Sequence, residues 1–101
     1  MEKEFILVPD EYDRNFQVGD IVQHFKHDDN AEDENNYRYE IIAFAEHTEE
    51  KYELVIYRAL YGDCKTYARP KEMFISEVDR VKYPNVKTKY RLTKLMKVEL
   101  Y

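Results

Sequence analysis

The sequence predicts an all-β fold built as a single small domain. One observation is a run of β-branched and aromatic residues from Tyr52 to Tyr61, which favours a strand over a helix. A second is the Gly62-Asp63 pair directly after that run, because glycine accepts the backbone conformations of a hairpin turn. A third is the length of 101 residues, which allows one modest hydrophobic core. We therefore expect a small barrel of about five strands.

The run from Tyr52 to Tyr61 is predicted to be the central strand. Successive side chains of a strand point to opposite faces of the sheet. One face would carry Leu54, Ile56 and Leu60, and the other would carry Val55, Tyr57, Ala59 and Tyr61. Because both sets are apolar, we expect both faces of this strand to be covered.

The second arm of the hairpin is predicted from Lys65 to Arg69. Pro70 would end it, since proline has no N–H for a sheet ladder. Its fixed φ suits the start of a helix, so a short helical turn is predicted near residues 70–74. Met73 and Phe74 would then close the core.

Further strands are predicted on both sides of this hairpin. Ile21 to Lys26 and Tyr39 to Glu46 alternate as strands do, and Ile75 to Val81 would be the closing strand. The acidic stretch 27–37 lacks any such period and predicts a mobile loop. Glu4 to Val8 would be an edge strand or a packing arm.

The C-terminal residues 87–101 carry two competing patterns. Leu92, Leu95 and Met96 have helical spacing, whereas Met96, Val98 and Leu100 alternate as in a strand. We expect a strand near the start of this segment, and the conformation of the last ten residues stays open.

Four ordered blocks of this sequence resemble a known family. The blocks are VQHFKH, YEIIAFAEHTEE, LVIYRALYG and ARPKEMF, and they span roughly Val18 to Val81. Together they are similar to the bacterial family designated domain of unknown function 1653. This resemblance implies an SH3-like barrel and implies no particular activity. It divides the chain into an N-terminal arm (1–17), a barrel (18–81) with an acidic insertion (27–37), and a basic C-terminal extension (82–101).

Composition and charge exclude several classes of protein. No apolar run approaches the roughly 20 residues that cross a bilayer, and the acidic N-terminus does not match a secretory signal. One cysteine cannot form an internal disulfide, so a cytoplasmic location is expected. Residues 80–101 hold seven Lys or Arg and one acid, whereas residues 1–79 hold nine and twenty. Nucleic acid could therefore bind only through the C-terminal tail, and a solvated tail is favoured.

Seven polar or aromatic residues in the family-like blocks form the candidate ligand site: His24, Lys26, Tyr57, Arg58, Tyr61, Arg69 and Glu72. Guanidinium groups match the geometry of phosphate and carboxylate, and tyrosine faces can stack on rings. These residues would line one rim and bind an anionic group. The structural alternative is a bridge from Glu72 to Arg58 or Arg69 that locks the Arg-Pro turn.

Catalytic and metal sites find less support in the sequence. Cys64 has no base near it in the chain, and His24 and His27 are not spaced as zinc ligands on one strand face. Asp28, Asn30 and Glu32 alternate as in a calcium loop, but the required glycine is missing. We expect no cofactor and no metal.

The sequence thus favours a non-enzymatic binding module for an anionic small molecule or an acidic segment of a partner protein. Two alternatives remain open. One is a nucleic-acid accessory protein that uses the basic tail, and the other is a small hydrolase that uses Glu46 or Glu72. A monomer or a weak homodimer is expected, without a membrane association.

Overall fold

The computed structural model describes residues 2–9 and 14–100, which form six strands and one short helix. The elements are β1 (Glu2–Leu7), β2 (Ile21–His24), β3 (Arg38–Glu46), β4 (Glu53–Ala59), β5 (Thr66–Pro70), α1 (Lys71–Phe74) and β6 (Leu92–Leu100). The all-β prediction and the helical turn after Pro70 are therefore confirmed. No helix within these ranges is long and apolar enough to cross a membrane.

All six strands form one antiparallel sheet in the order β1-β6-β2-β3-β4-β5. β1 and β5 are the two edges, and among the described strands no pairing joins them, so the sheet is open. The strand pairing therefore does not confirm the predicted SH3-like barrel, which would require a closed sheet. The strand number exceeds the expected five because β6 pairs with both β1 and β2, which brings both ends of the chain into the sheet.

The predicted closing strand from Ile75 to Val81 is wrong. In that segment Glu77 alone makes an isolated bridge, to Tyr90. The physical reason is Asp79, whose side chain accepts hydrogen bonds from the amides of Val81 and Lys82 at 3.0 and 3.2 Å. This local bonding turns the chain at Asp79, so the short pairing of residues 76–78 with residues 89–91 does not extend into a strand.

The core lies against one face of the sheet. Its fully buried side chains include Val22, Ile41, Val55, Leu92 and Phe74. Phe74, delivered by α1, packs edge-on against Phe16 and against Tyr57, with ring centroids 5.5 and 5.4 Å apart. On β4 only the face with Val55, Tyr57 and Ala59 is buried, whereas Leu54, Ile56 and Leu60 are half-buried. The expectation that both faces of β4 are covered is corrected accordingly.

The acidic loop between β2 and β3 is organised around Asn36. The side-chain oxygen of Asn36 accepts from the amide of Asp28 at 2.8 Å, and its Nδ2 donates to the carbonyls of Asp28 and Asp33. The backbone carbonyl of Asn36 lies 2.6 Å from Nδ1 of His27. A buried amide with all of these partners fixes the two ends of the loop against each other.

We expect Asn36→Ala to lower the free energy of unfolding by about 1–3 kcal/mol, because it leaves buried backbone groups without partners. Urea denaturation would measure the change. Asn30→Ala is the matched control, since the exposed Asn30 side chain makes no hydrogen bond within the described residues. Equal stability of the two variants would contradict this role of Asn36.

Candidate functional site

A cavity of about 180 Å³ lies against the inner face of the sheet, across strands β2 to β5. The side chains that line it are His24, Lys26, Tyr37, Tyr39, Tyr57, Arg69 and Leu92. His24 ends β2, Tyr39 is the second residue of β3, and Tyr57 and Arg69 lie on β4 and β5. The sheet therefore gathers two cations, one imidazole and three phenol rings from distant parts of the chain.

His24 is held as a neutral imidazole at this cavity. The pKa of His24 is lowered from 6.5 to about 4, mainly by burial and in addition by the positive charges of Lys26, Arg69 and Arg91. Its Nδ1 accepts a hydrogen bond from the Lys26 amide at 3.1 Å. In the neutral ring the proton then lies on Nε2, which becomes a donor.

Tyrosine rings form most of the cavity wall. The hydroxyls of Tyr39 and Tyr61 are 2.9 Å apart, which places Tyr61 behind the wall as a partner of Tyr39. Burial raises the pKa of both Tyr39 and Tyr57, while the nearby Arg69 guanidinium opposes the rise at Tyr57. These phenols therefore stay protonated near neutral pH and can act as hydrogen-bond donors.

Tyr37 adopts a strained backbone conformation beside the cavity. Its φ of 56° lies in the left-handed region, which is uncommon for a residue other than glycine. Its ring contacts the rings of His24 and Tyr61 at centroid distances of 5.7 and 5.6 Å. Such strain costs on the order of 1–3 kcal/mol. The same conformation occurs at Lys51 and Cys64, which do not line this cavity, so the φ of Tyr37 does not by itself mark the site.

Four of the seven residues predicted for the site line this cavity, and a fifth stands next to it. The four are His24, Lys26, Tyr57 and Arg69. Tyr61 contacts the wall through Tyr39 and Tyr37.

Arg58 and Glu72 lie elsewhere. Arg58 is exposed on the opposite face of β4, because it follows the inward-facing Tyr57. Glu72 is exposed on α1 and borders a separate hollow with Tyr52 and Ile75. Within the described part of the chain, no ion pair joins Glu72 to either Arg58 or Arg69. The proposed bridge at the Arg-Pro turn is therefore corrected, and Arg69 lies near Tyr57 instead.

Sequence reasoning missed Tyr37, Tyr39, Leu92 and Arg91. Tyr39 could have been found, since it precedes the buried Ile41 by two residues and so shares its strand face. Arg91 and Leu92 enter through the pairing of His24 with Leu92 between β2 and β6. The Nε of Arg91 is buried and has no hydrogen-bond partner among the described residues, which leaves one donor of this cationic group unused.

The outer rim of the site continues onto the loop after α1. The Lys26 ammonium lies 5.4 Å from the centroid of the Tyr83 ring, and Phe25 contacts the same ring at 4.9 Å. The interaction with Lys26 lowers the pKa of the exposed Tyr83 hydroxyl. Lys26 is thus placed between the cavity and this loop.

Two of the seven cations in residues 80–101 form ion pairs with carboxylates of the domain. Lys94 forms an ion pair with Asp20 at 3.1 Å, where the lysine side chain is only 12% exposed. Lys89 lies 3.9 Å from Glu77. A segment whose cations contact the domain's own carboxylates offers fewer free charges to nucleic-acid phosphates.

The residues weighed as metal ligands or nucleophile do not assemble into a site. Among the described residues, no group of three His, Cys, Asp or Glu side chains could hold a metal ion. Asp28 instead accepts a hydrogen bond from the amide of Asn30, as in an Asx turn. Cys64 is exposed in the turn between β4 and β5, with its sulfur 4.0 Å from the Gly62 carbonyl.

The family model for the protein of unknown function DUF1653 matches residues 20–93. The chain belongs to this family. The resemblance seen in the sequence from Val18 to Val81 is confirmed and extends through Arg91 and Leu92. No curated protein and no solved structure matches the chain.

The DUF1653 region contains every residue that lines the cavity. It begins one residue before β2 and ends at Thr93, near the start of β6. β1 and most of β6 lie outside the matched region. The cavity therefore lies within the family region and not in the terminal segments.

Proposed function

We propose that this DUF1653 protein is a non-enzymatic binding module that holds an anionic group in the cavity between His24, Lys26 and Arg69. The observation that carries the proposal is the convergence of cations on one tyrosine-walled cavity. Lys26, Arg69 and Arg91 all act on His24, although they come from three separate parts of the chain. A folded protein keeps like charges together at a cost, which an anionic ligand would remove.

The positive charge of the cavity wall distinguishes an anion site from an aromatic cage that binds cations. Several phenol rings around a cavity can also bind an ammonium group through their negative faces. Here Lys26 and Arg69 stand in the same wall and would repel such a group. The pKa of His24 is depressed mainly by burial, and the charges of Lys26, Arg69 and Arg91 lower it in the same direction. The cations in the cavity wall therefore favour an anion.

The groups around the cavity suit a carboxylate or a phosphate. The Arg69 guanidinium can donate two parallel hydrogen bonds to two oxygens, and Lys26 adds a point charge. Neutral His24 would donate through Nε2, and a phenol such as Tyr57 could donate through its hydroxyl. His24, Tyr57 and Arg69 are held by strands, and Lys26 lies two residues after β2, so little rearrangement of the strand-borne donors would be needed on binding.

The size of the cavity limits what it would hold. Sites that enclose a whole drug-sized molecule have volumes of roughly 300–1,000 Å³. A volume of about 180 Å³ is smaller. It would suit a small anion, or a single acidic group that belongs to a larger partner.

The test uses inorganic phosphate and benzoate as probes, followed by NMR signals of the His24 ring. We expect either anion to shift these signals and to raise the pKa of His24, because a bound negative charge stabilises the imidazolium. Arg69→Gln should weaken the binding at least tenfold. Arg58→Gln is the matched control, since Arg58 is exposed on the other face of β4.

Two outcomes would remove the proposed function. One is that neither anion moves the His24 signals at millimolar concentrations. The other is that Arg69→Gln and Arg58→Gln bind the anions as well as the unmodified protein does. Native mass spectrometry of gently purified protein would add the identity of any retained anion.

A further inference from the structure

The edge strand β5 presents free backbone groups. The amide of Ala59 donates to the carbonyl of Lys65 at 2.9 Å, and hydrogen-bonded pairs alternate along an antiparallel ladder. The backbones of Tyr67 and Arg69 therefore bond to β4, whereas those of Thr66 and Ala68 point away from the sheet. Because β5 pairs with β4 alone among the described strands, the amides of Thr66 and Ala68 face the open side of β5.

This edge is open to solvent. Thr66, Tyr67 and Ala68 are exposed, and Tyr67 keeps 43% of its surface accessible. Proteins usually protect edge strands with bulges, covering segments or charges. In β5 the protection consists of its short length and of Pro70 at its end, which leaves about four residues able to pair.

The open edge adjoins the proposed anion site. Arg69 belongs to β5 and lines the cavity. Tyr67, two residues earlier on the same face, contacts the Tyr57 ring at a centroid distance of 5.7 Å. A strand added beside β5 would thus place its inward side chains next to Arg69 and Tyr67.

Charge selects the kind of strand that fits. The segment from Cys64 to Lys71 contains Lys65, Arg69 and Lys71 and no acidic residue. An acidic strand would complement these charges, because opposite charges directly across a sheet stabilise the pair. The other edge strand, β1, has the sequence EKEFIL, which contains two acidic residues. It would therefore not attract an acidic strand as β5 would.

Charge also argues against a second copy of this chain on the same edge. A symmetric antiparallel pairing centred on Tyr67 places Lys65 opposite Arg69. A pairing centred on Ala68 places Thr66 opposite Pro70, which has no N–H to donate to the ladder. Like charges directly opposite each other destabilise a sheet. We therefore expect the strand that pairs with β5 to come from another protein.

We propose that β5 receives an extended acidic segment of a partner protein as a seventh, antiparallel strand. The partner places an Asp or Glu opposite Arg69 and, two residues later, an aromatic or apolar residue opposite Tyr67. Main-chain hydrogen bonds to Thr66 and Ala68 supply affinity, and the two side chains supply specificity. This inference rests on the proposed function in one respect, since the acidic side chain is the anion that Arg69 holds.

The experiment selects a phage-displayed library of random ten-residue peptides against the whole protein. We expect enrichment of peptides with an acidic residue two positions before an aromatic or apolar one. Ala68→Pro should weaken the enriched peptides at least tenfold, because proline removes the outward N–H without breaking a bond to β4. Ala68→Ser keeps that N–H and should bind as the unmodified protein does.

Hydrogen exchange provides a readout that does not depend on the folding of a variant. Binding of an enriched peptide should slow exchange of the Thr66 and Ala68 amides at least tenfold. The amides of Tyr67 and Arg69 already bond to β4 and should change little. This alternating pattern distinguishes an added strand from a ligand that touches only the cavity.

Three results would overturn the inference: no enrichment of an acidic motif, equal binding to Ala68→Pro and Ala68→Ser, or a dimer that Ala68→Pro dissociates. Phosphate binding separates this inference from the proposed function. If Ala68→Pro still binds phosphate while the peptides fail, the anion site stands without the strand. If the peptides bind and phosphate does not, the edge stands without a separate small-anion site.

Discussion

Phe74→Ala is expected to lower the free energy of unfolding by about 3–5 kcal/mol, the usual cost of removing a buried phenylalanine ring. Phe74 is fully buried, and it is held between the rings of Phe16 and Tyr57. It is delivered by a helix of four residues, which cannot shift far to fill the space. The cavity left by the ring would therefore stay largely open.

Chemical denaturation of Phe74→Ala and Met73→Ala gives the matched comparison. Met73 is next to Phe74 in α1 but keeps 47% of its surface exposed, so its truncation should cost well under 1 kcal/mol. Phe74→Ala should also loosen Tyr57, which packs on Phe74 and lines the anion cavity. If Phe74→Ala lowered the free energy of unfolding by less than about 1 kcal/mol, the packing of α1 would not be important for this core.

The strands that the sequence predicted best are those with strong local signals. β4 and β5 were found because a β-branched and aromatic run, a glycine turn and a proline follow one another within about twenty residues. Each of these signals acts on its own neighbourhood, so no knowledge of distant contacts was needed. The helical turn after Pro70 was found for the same reason.

The facing of β3 illustrates what a local pattern misses. Simple alternation from Ile41 places Phe44 on the opposite face. A β-bulge between Ile41 and Ala43 adds a residue, so that Phe44 pairs with the buried Val55 and packs on the core. A bulge reverses the facing of everything after it, and no residue in this stretch marks it in advance.

The pairing of β6 with β1 and β2 depended on distant segments. Residues 92–100 carried both helical and strand spacing, and their conformation is decided by pairing with β1 and β2. The sequence of either segment alone gives little indication that two segments so far apart in the chain pair with each other. The same pairing brings Arg91 and Leu92 to His24, which explains why these two were missed at the site.

The candidate site was partly predicted from the sequence. The residues that were predicted correctly were chosen by their charge and aromatic character and not by the strand face to which each side chain points. His24, Lys26, Tyr57 and Arg69 do meet at one cavity. Arg58 was grouped with them although it directly follows Tyr57 in a strand, and adjacent strand residues cannot share a face. Strict use of alternation would have assigned Tyr57 to the site and Arg58 to the outer surface.

The titration of His24 is expected to have a midpoint near pH 4, well below the ordinary value of 6.5. Burial is the main cause, and Lys26, Arg69 and Arg91 face the ring with positive charge. Rings of Phe25 and Tyr37 pack on the imidazole at 4.2 and 5.7 Å and keep water from it. NMR of the ring carbon and proton signals across pH 3–8 would measure the midpoint directly.

The depressed pKa also fixes the direction of a stability change with pH. Above pH 6.5 the imidazole is neutral in both the folded and the unfolded chain, so it adds no penalty. Between pH 6.5 and 4 the unfolded chain binds more protons at this site, and the free energy of unfolding therefore falls as the pH falls. Below pH 4 the contribution of His24 levels off. His24→Asn should remove this component of the pH dependence.

Variants of the neighbouring cations show whether the cavity carries the positive field on which anion binding depends. Lys26→Met and Arg69→Gln should each raise the pKa of His24 towards 6.5, although burial keeps it below that value. Arg58→Gln, on the other face of β4, should leave it unchanged. A midpoint near 6.5 in the unmodified protein would mean a solvated imidazole, and the electrostatic support for the anion site would be lost. A titration midpoint near pH 4 that rises when phosphate is added would support both the His24 titration and the anion site. The same positive charges that repel a proton from His24 would then attract the anion.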